Sequence, residues 1–177
     1  MDFDPLAVVN MHDVTAGREH RFQQSPLPLY GLGRGWTGIR STGDYEHSED
    51  GVRIGLGHGD PTDLTSPHVH VVSVVGDDDD LTWSVRSYID EEDPDSLAVD
   101  RRLPERQIVI PVDGEPAQFA LLRGTTGWAA RATRGTHALI IEAKNIEPDQ
   151  IKIVTITDLT AYHAGFQTIL NREAEAT

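Results

Sequence analysis

The sequence predicts one α+β domain: a single antiparallel sheet, a meander of about six to eight strands, with a C-terminal amphipathic helix packed on one face and an extended N-terminal arm. Three observations carry this. Apolar residues alternate at period two in segment after segment between Val52 and Ile156, the pattern of strands with one buried face. Short turns join most of these segments, too short for the dozen or more residues of a parallel crossover, so neighbours run antiparallel. After Ile156 the spacing of apolar residues becomes helical.

A chain of 177 residues suits one core. We divide it into a segment 1–38, an N-terminal stretch with a Gly/Pro-rich arm, and a β-rich domain 39–177. Residues 1–24 hold only the short apolar stretch Leu6-Ala7-Val8-Val9. From Ser25 to Gly38, Pro26, Pro28, Gly31, Gly33, Gly35 and Gly38 break helices and read as a loop or extended arm, placed to wrap a sheet edge or another subunit.

Trp36–Asp44 reads as the first strand. Ser48-Glu49-Asp50-Gly51 turns the chain into a second, where Val52, Ile54 and Leu56 alternate. His68–Val75 is dense in Val. Gly76 and four Asp then lead to Leu81–Ile89, read as a strand with Leu81, Trp83, Val85 and Ile89 on one face. Asp90–Pro104 is an acidic loop. Gln107–Val112 and Ala117–Arg123 form the clearest hairpin, since Asp113-Gly114 can take the positive-φ positions of a tight turn. Trp128–Thr133 and Thr136–Ala143 continue the meander, and Ile151–Ile156 is the last strand. Leu159, Tyr162, Phe166, Ile169 and Leu170 then make a helical stripe, with Thr157 or Asp158 as N-cap.

Composition removes several functions. The absence of Cys excludes disulfides, thiolate nucleophiles and Cys-ligated metals. No apolar run approaches the ~20 residues of a membrane span, and the acidic opening Met1-Asp2-Phe3-Asp4-Pro5 is unlike a signal peptide, so a soluble, cytoplasmic protein is expected. The net charge of −14 repels nucleic acid and anionic membranes. Between Asp77 and Asp100 ten acidic residues face one base, Arg86. Asp77, Asp78, Asp79, Asp80, Glu91, Glu92 and Asp93 there are solvated loops, or a surface that steers a basic protein partner.

Two motifs bear on chemistry. Gly33-Arg34-Gly35-Trp36-Thr37-Gly38 spells a dinucleotide fingerprint but lacks the preceding buried strand and following helix. His58-Gly59-Asp60 with His68-Val69-His70 is the stronger signal. Residues two apart on a strand point the same way, so His68 and His70 can meet one divalent transition metal, with His58 or Asp60 as a third ligand. The His-x-His pair resembles the first histidine motif of the cupins, which are double-sheet barrels with a bound metal. Val74 and Val75 stand where that motif carries its Glu ligand, and the second cupin motif is absent. Of the three Trp, Trp83 and Trp128 read as core, and Trp36 in the arm is a candidate anchor for a partner or for a second copy of the chain. No Gly-x-Ser-x-Gly elbow or His-Glu-x-x-His helix occurs. The expected function is that of a non-enzymatic binding, regulatory or immunity-type protein with an acidic surface for a protein partner. The alternative is a metal-binding protein or metal-dependent enzyme using the His-x-His strand.

Overall fold

The computed structural model describes residues 9–10, 25–33, 41–48, 51–59, 63, 65–76, 81, 85 and 105–162. They form the strands β1 (Val9–Asn10), β2 (Leu29–Leu32), β3 (Ser41–Ser48), β4 (Gly51–His58), β5 (His68–Gly76), β6 (Arg106–Val112), β7 (Glu115–Arg123), β8 (Gly127–Arg134), β9 (His137–Lys144) and β10 (Ile153–Ile156). The hairpins form where turn chemistry directs them. Asp113 and Gly114 adopt φ of 54° and 84°, the two positive values that a type I′ turn needs, and β6 pairs β7 from Val112↔Glu115 outward. β3 and β4 pair antiparallel up to Ser48 opposite Gly51.

All strands belong to one sheet in the order β1-β3-β4-β5-β9-β8-β7-β6-β10-β2. The sheet is mixed, which corrects the expected antiparallel meander: β10 lies parallel to β6, with Ile153 opposite Val112. A side chain fixes this junction. The Asp113 N–H donates to Ile153 O at 2.9 Å, and its carboxylate accepts from Thr155 N and Thr155 Oγ1, both at 2.7 Å. One turn residue therefore serves the hairpin and the docking of β10. The arm also contributes more than an extended loop. Residues 29–32 are buried throughout and pair antiparallel with β10.

The sheet curls until it is nearly a barrel, because its β2 edge returns against β4 and β5. Ser73 Oγ donates to Pro28 O at 2.5 Å, and Leu29 packs with Ile54, Leu56 and Leu159. Inside the curl, residues of β2 and of β5 to β10 make the main core, among them Val71, Ile110, Phe119, Trp128 and Ile141. Trp128 is fully buried and satisfies its indole by donating from Nε1 to Ile146 O at 2.7 Å. On the outer face, Val72, Val74, Leu122, Ala129 and Ile140 form a second cluster with Leu81 and Val85. β9 is thus covered on both sides, which explains its uninterrupted apolar run.

Leu81 and Val85 are helical, which corrects the strand expected at these two positions; the rest of Leu81–Ile89 lies outside the described residues. A spacing of four fits one face of a strand and one face of a helix equally well. The terminal helix starts as its capping signal predicts. Asp158 Oδ1 accepts from Ala161 N at 2.9 Å, and residues 159–162 are helical. Leu159 is fully buried, and Tyr162 Oη donates to Leu32 O at 2.7 Å, so this first turn seals the seam beside β2. Phe166, Ile169 and Leu170 lie outside the described residues.

Candidate functional site

Strand register decides which polar side chains share a surface. Across β4 and β5, Ile54, Leu56 and His58 oppose Ser73, Val71 and Val69, whereas Arg53, Gly55 and Gly57 oppose Val74, Val72 and His70. Across β5 and β9, His68 opposes Lys144 and His70 opposes Glu142. His58 therefore shares the inner face with Val69 and Val71. His68, His70, Arg53 and Glu142 share the outer one.

The outer group centres on Glu142, whose side chain is 1% exposed. Its Oε2 accepts from His70 Nδ1 at 3.0 Å and pairs with Arg53 Nη2 at 3.5 Å. A carboxylate can occupy a strand covered on both sides only with such partners, because an isolated buried charge is prohibitive. The neighbouring His68 places Nδ1 2.9 Å from Ser66 O. Its ring lies over Gly59, where an added Cβ would come within 2.4 Å of His68 Cδ2. Gly59 and Gly57 leave the β4 side of both imidazoles without side-chain bulk. A carboxylate-tethered imidazole of this kind is held in one orientation.

His58 is in a different environment. It is 3% exposed and meets the Tyr162 ring edge-on at 6.3 Å. Burial, and secondarily the charge of His70, lowers its pKa to about 3, so it is neutral at physiological pH. Burial likewise pushes the Tyr162 phenol upward, against the bond to Leu32 O. A second inner pair joins Tyr30 Oη to His137 Nε2 at 3.1 Å, with the rings stacked at 5.8 Å. The His137 pKa is lowered by burial first and then by Arg134.

The structure thus brings His68 and His70 to one face and sets His58 on the other. Among the described residues, no group of three or more His, Cys, Asp or Glu side chains is placed to hold a metal ion. Trp36, Asp77, Asp78, Asp79, Asp80, Glu91, Glu92 and Asp93 lie outside the described residues. Sequence reasoning missed Glu142 and Arg53. A signal existed for the first, since Glu142 is the lone charge in Ala138-Leu139-Ile140-Ile141-Glu142-Ala143, and a single carboxylate in a buried run implies partners. No helix among the described residues is long and apolar enough to cross a membrane. In comparisons with known proteins, the chain matches no family model, no curated protein and no solved structure.

Proposed function

We propose that the chain is a non-enzymatic binding protein, of a regulatory or immunity type, whose acidic segments engage a basic protein partner. Charge partition supports this reading. The 58 residues 105–162, which supply half of the strands, hold seven acidic and six basic residues of the chain's 29 and 15, leaving 22 acidic and nine basic for the other 119. Residues 105–162 are close to neutral, and the acidic excess lies in the rest of the chain. Charge of one sign concentrated this way raises the encounter rate with an oppositely charged surface.

The test compares the full chain with a variant in which Asp77–Asp80 become Asn and Glu91, Glu92 and Asp93 become Gln, Gln and Asn. Each is immobilised, and bound proteins are eluted from cell lysate with rising salt. Screening shortens from about 10 Å at 0.1 M to about 3 Å at 1 M, so a partner held by these carboxylates elutes early, has a high isoelectric point and is missing from the variant. A partner retained equally by both proteins overturns the proposal.

A further inference from the structure

We propose that β2 and the helical turn 159–162 form an acid-released strap: at neutral pH they close the sheet over an uncharged His58 at the end of β4, and protonation of that imidazole opens them. Side chains make this closure. β2 pairs along its length with β10, but among the described residues its other edge pairs with no strand. Hydroxyls hold it instead, with Ser73 Oγ donating to Pro28 O at 2.5 Å and Tyr162 Oη donating to Leu32 O at 2.7 Å. β10 in turn meets β6 at one described pair, Ile153↔Val112, supported by the Asp113 carboxylate. The strap can therefore lift from β4 while the ladders joining β5, β9, β8, β7 and β6 stay intact.

His58 lies beneath it. Ile54 and Leu56, on the same face of β4, pack with Leu29 of β2 and Leu159 of the helical turn, and Tyr162 lies against the same group. Two residues beyond Leu56, His58 is 3% exposed and meets the Tyr162 ring edge-on. Its register partners, Ser41 of β3 and Val69 of β5, carry no titratable group. β2 contributes Leu29, and the turn contributes Leu159 and the Tyr162 phenol, with Asp158 exposed at the cap. The charge of His70 also bears on the ring and opposes its protonation. An imidazolium under this apolar layer is costly, whereas a ring released to water charges near pH 6.5. Acid therefore favours the open form.

A second imidazole acts on the same strand in the same direction. His137 Nε2 lies 3.1 Å from Tyr30 Oη, and burial, then Arg134, lowers its pKa. It too charges more readily once β2 has left. The larger effect comes from His58, which the closed form holds at about 3 and the open form near 6.5. Below about pH 6.5 the open state gains a proton that the closed state lacks. Between pH 7.5 and pH 5 the open-to-closed ratio thus rises about 30-fold through His58 alone.

Because the chain has no cysteine, one introduced thiol reports on one position. Leu29→Cys places it in the strap and Ile141→Cys in the main core. Both proteins are labelled with a methanethiosulfonate reagent from pH 7.5 to pH 5, and each rate is divided by that of free cysteine at the same pH. The normalised rate of Leu29→Cys should rise about 30-fold and at pH 5 exceed that of Ile141→Cys by at least about tenfold. Adding His58→Gln should remove most of the rise. Equal normalised rates at the two positions throughout overturn the proposal, since the seam then opens only with the whole fold, and so does a rise undiminished by His58→Gln. Should circular dichroism show any of these variants unfolded, the wild-type imidazole decides by nuclear magnetic resonance. A His58 Cε1–H signal that keeps its neutral position in the native spectrum down to pH 5 supports the strap, and one that titrates near pH 6.5 with the native spectrum intact overturns it.

Discussion

Burial of His58 makes the fold sensitive to acid in a pH window where carboxylates contribute little. The folded protein holds this ring neutral, with a pKa lowered to about 3, whereas the unfolded chain titrates near pH 6.5. Below about pH 6.5 the unfolded state binds a proton that the folded state does not, so stability falls as pH falls and levels off near the folded value. Between pH 7 and pH 5 the loss amounts to about 2 kcal/mol, from about 1.4 kcal/mol per unit over the part of the range in which the unfolded histidine charges. His137, also lowered, adds a loss of the same sign. The discriminating measurement is therefore a difference between proteins. Urea unfolding of the wild type and of His58→Leu, at half-unit steps from pH 7.5 to 5, gives two stability curves. The variant curve should be flatter by about 2 kcal/mol over that range, whatever its stability at pH 7.5. Parallel curves would show that His58 charges in the native state and would refute the assignment of a dry, neutral imidazole beside Tyr162.

Substitutions at three further positions, Trp128, Gly31 and Asp113, examine the packing that positions the site. Trp128→Ala removes a fully buried ring and its bond to Ile146 O, and should cost about 3–5 kcal/mol by chemical denaturation. Trp128→Phe, which keeps most of the volume but leaves that carbonyl unpaired, should cost about 1–3 kcal/mol. Gly31→Ala brings a Cβ to 2.5 Å from Tyr162 Oη and 2.8 Å from Ile156 Cδ1. The expected loss is about 1–3 kcal/mol, together with faster amide exchange in residues 159–162, and an unchanged exchange pattern would show that the seam yields freely. Asp113→Ala removes both bonds to Thr155 and should cost about 1–3 kcal/mol. In a double-mutant cycle with Thr155→Val the two losses should fall well short of additive.

Legibility in the sequence followed the range of the forces involved. The β6–β7 hairpin was readable because everything that specifies it is local: Ile108, Ile110 and Val112 alternate, and Asp113-Gly114 supplies the turn. The helix start was readable for the same reason, in Asp158 and Leu159. β2 was not. Gly31 reads locally as a breaker, yet the position requires glycine because the Tyr162 hydroxyl lies against it. The parallel docking of β10 rests on Asp113 and Thr155, 42 residues apart, and no neighbouring residue announces such a pairing. Leu81 and Val85 carry a spacing common to both periodicities, and only the apolar outer face of β5 and β9 selects the helix.

The histidines divide along the same line. That His68 and His70 share a side follows from the strand alone. The side taken by His58 depends on the register between β4 and β5, where it opposes Val69 and Gly57 opposes His70. A slip of one residue would have turned His58 outward beside them, as the three-histidine reading assumed. The observed register is held by the packing of Ile54 and Leu56 with Leu29 and Leu159, since a slip would expose both β4 side chains. At about 1.5–3 kcal/mol for each buried aliphatic side chain, the two together outweigh what a third imidazole ligand could restore unless a metal were tightly bound. The core therefore chose the inner position of His58, and the outer face was left with two imidazoles whose Nδ1 protons are already committed to Ser66 and Glu142.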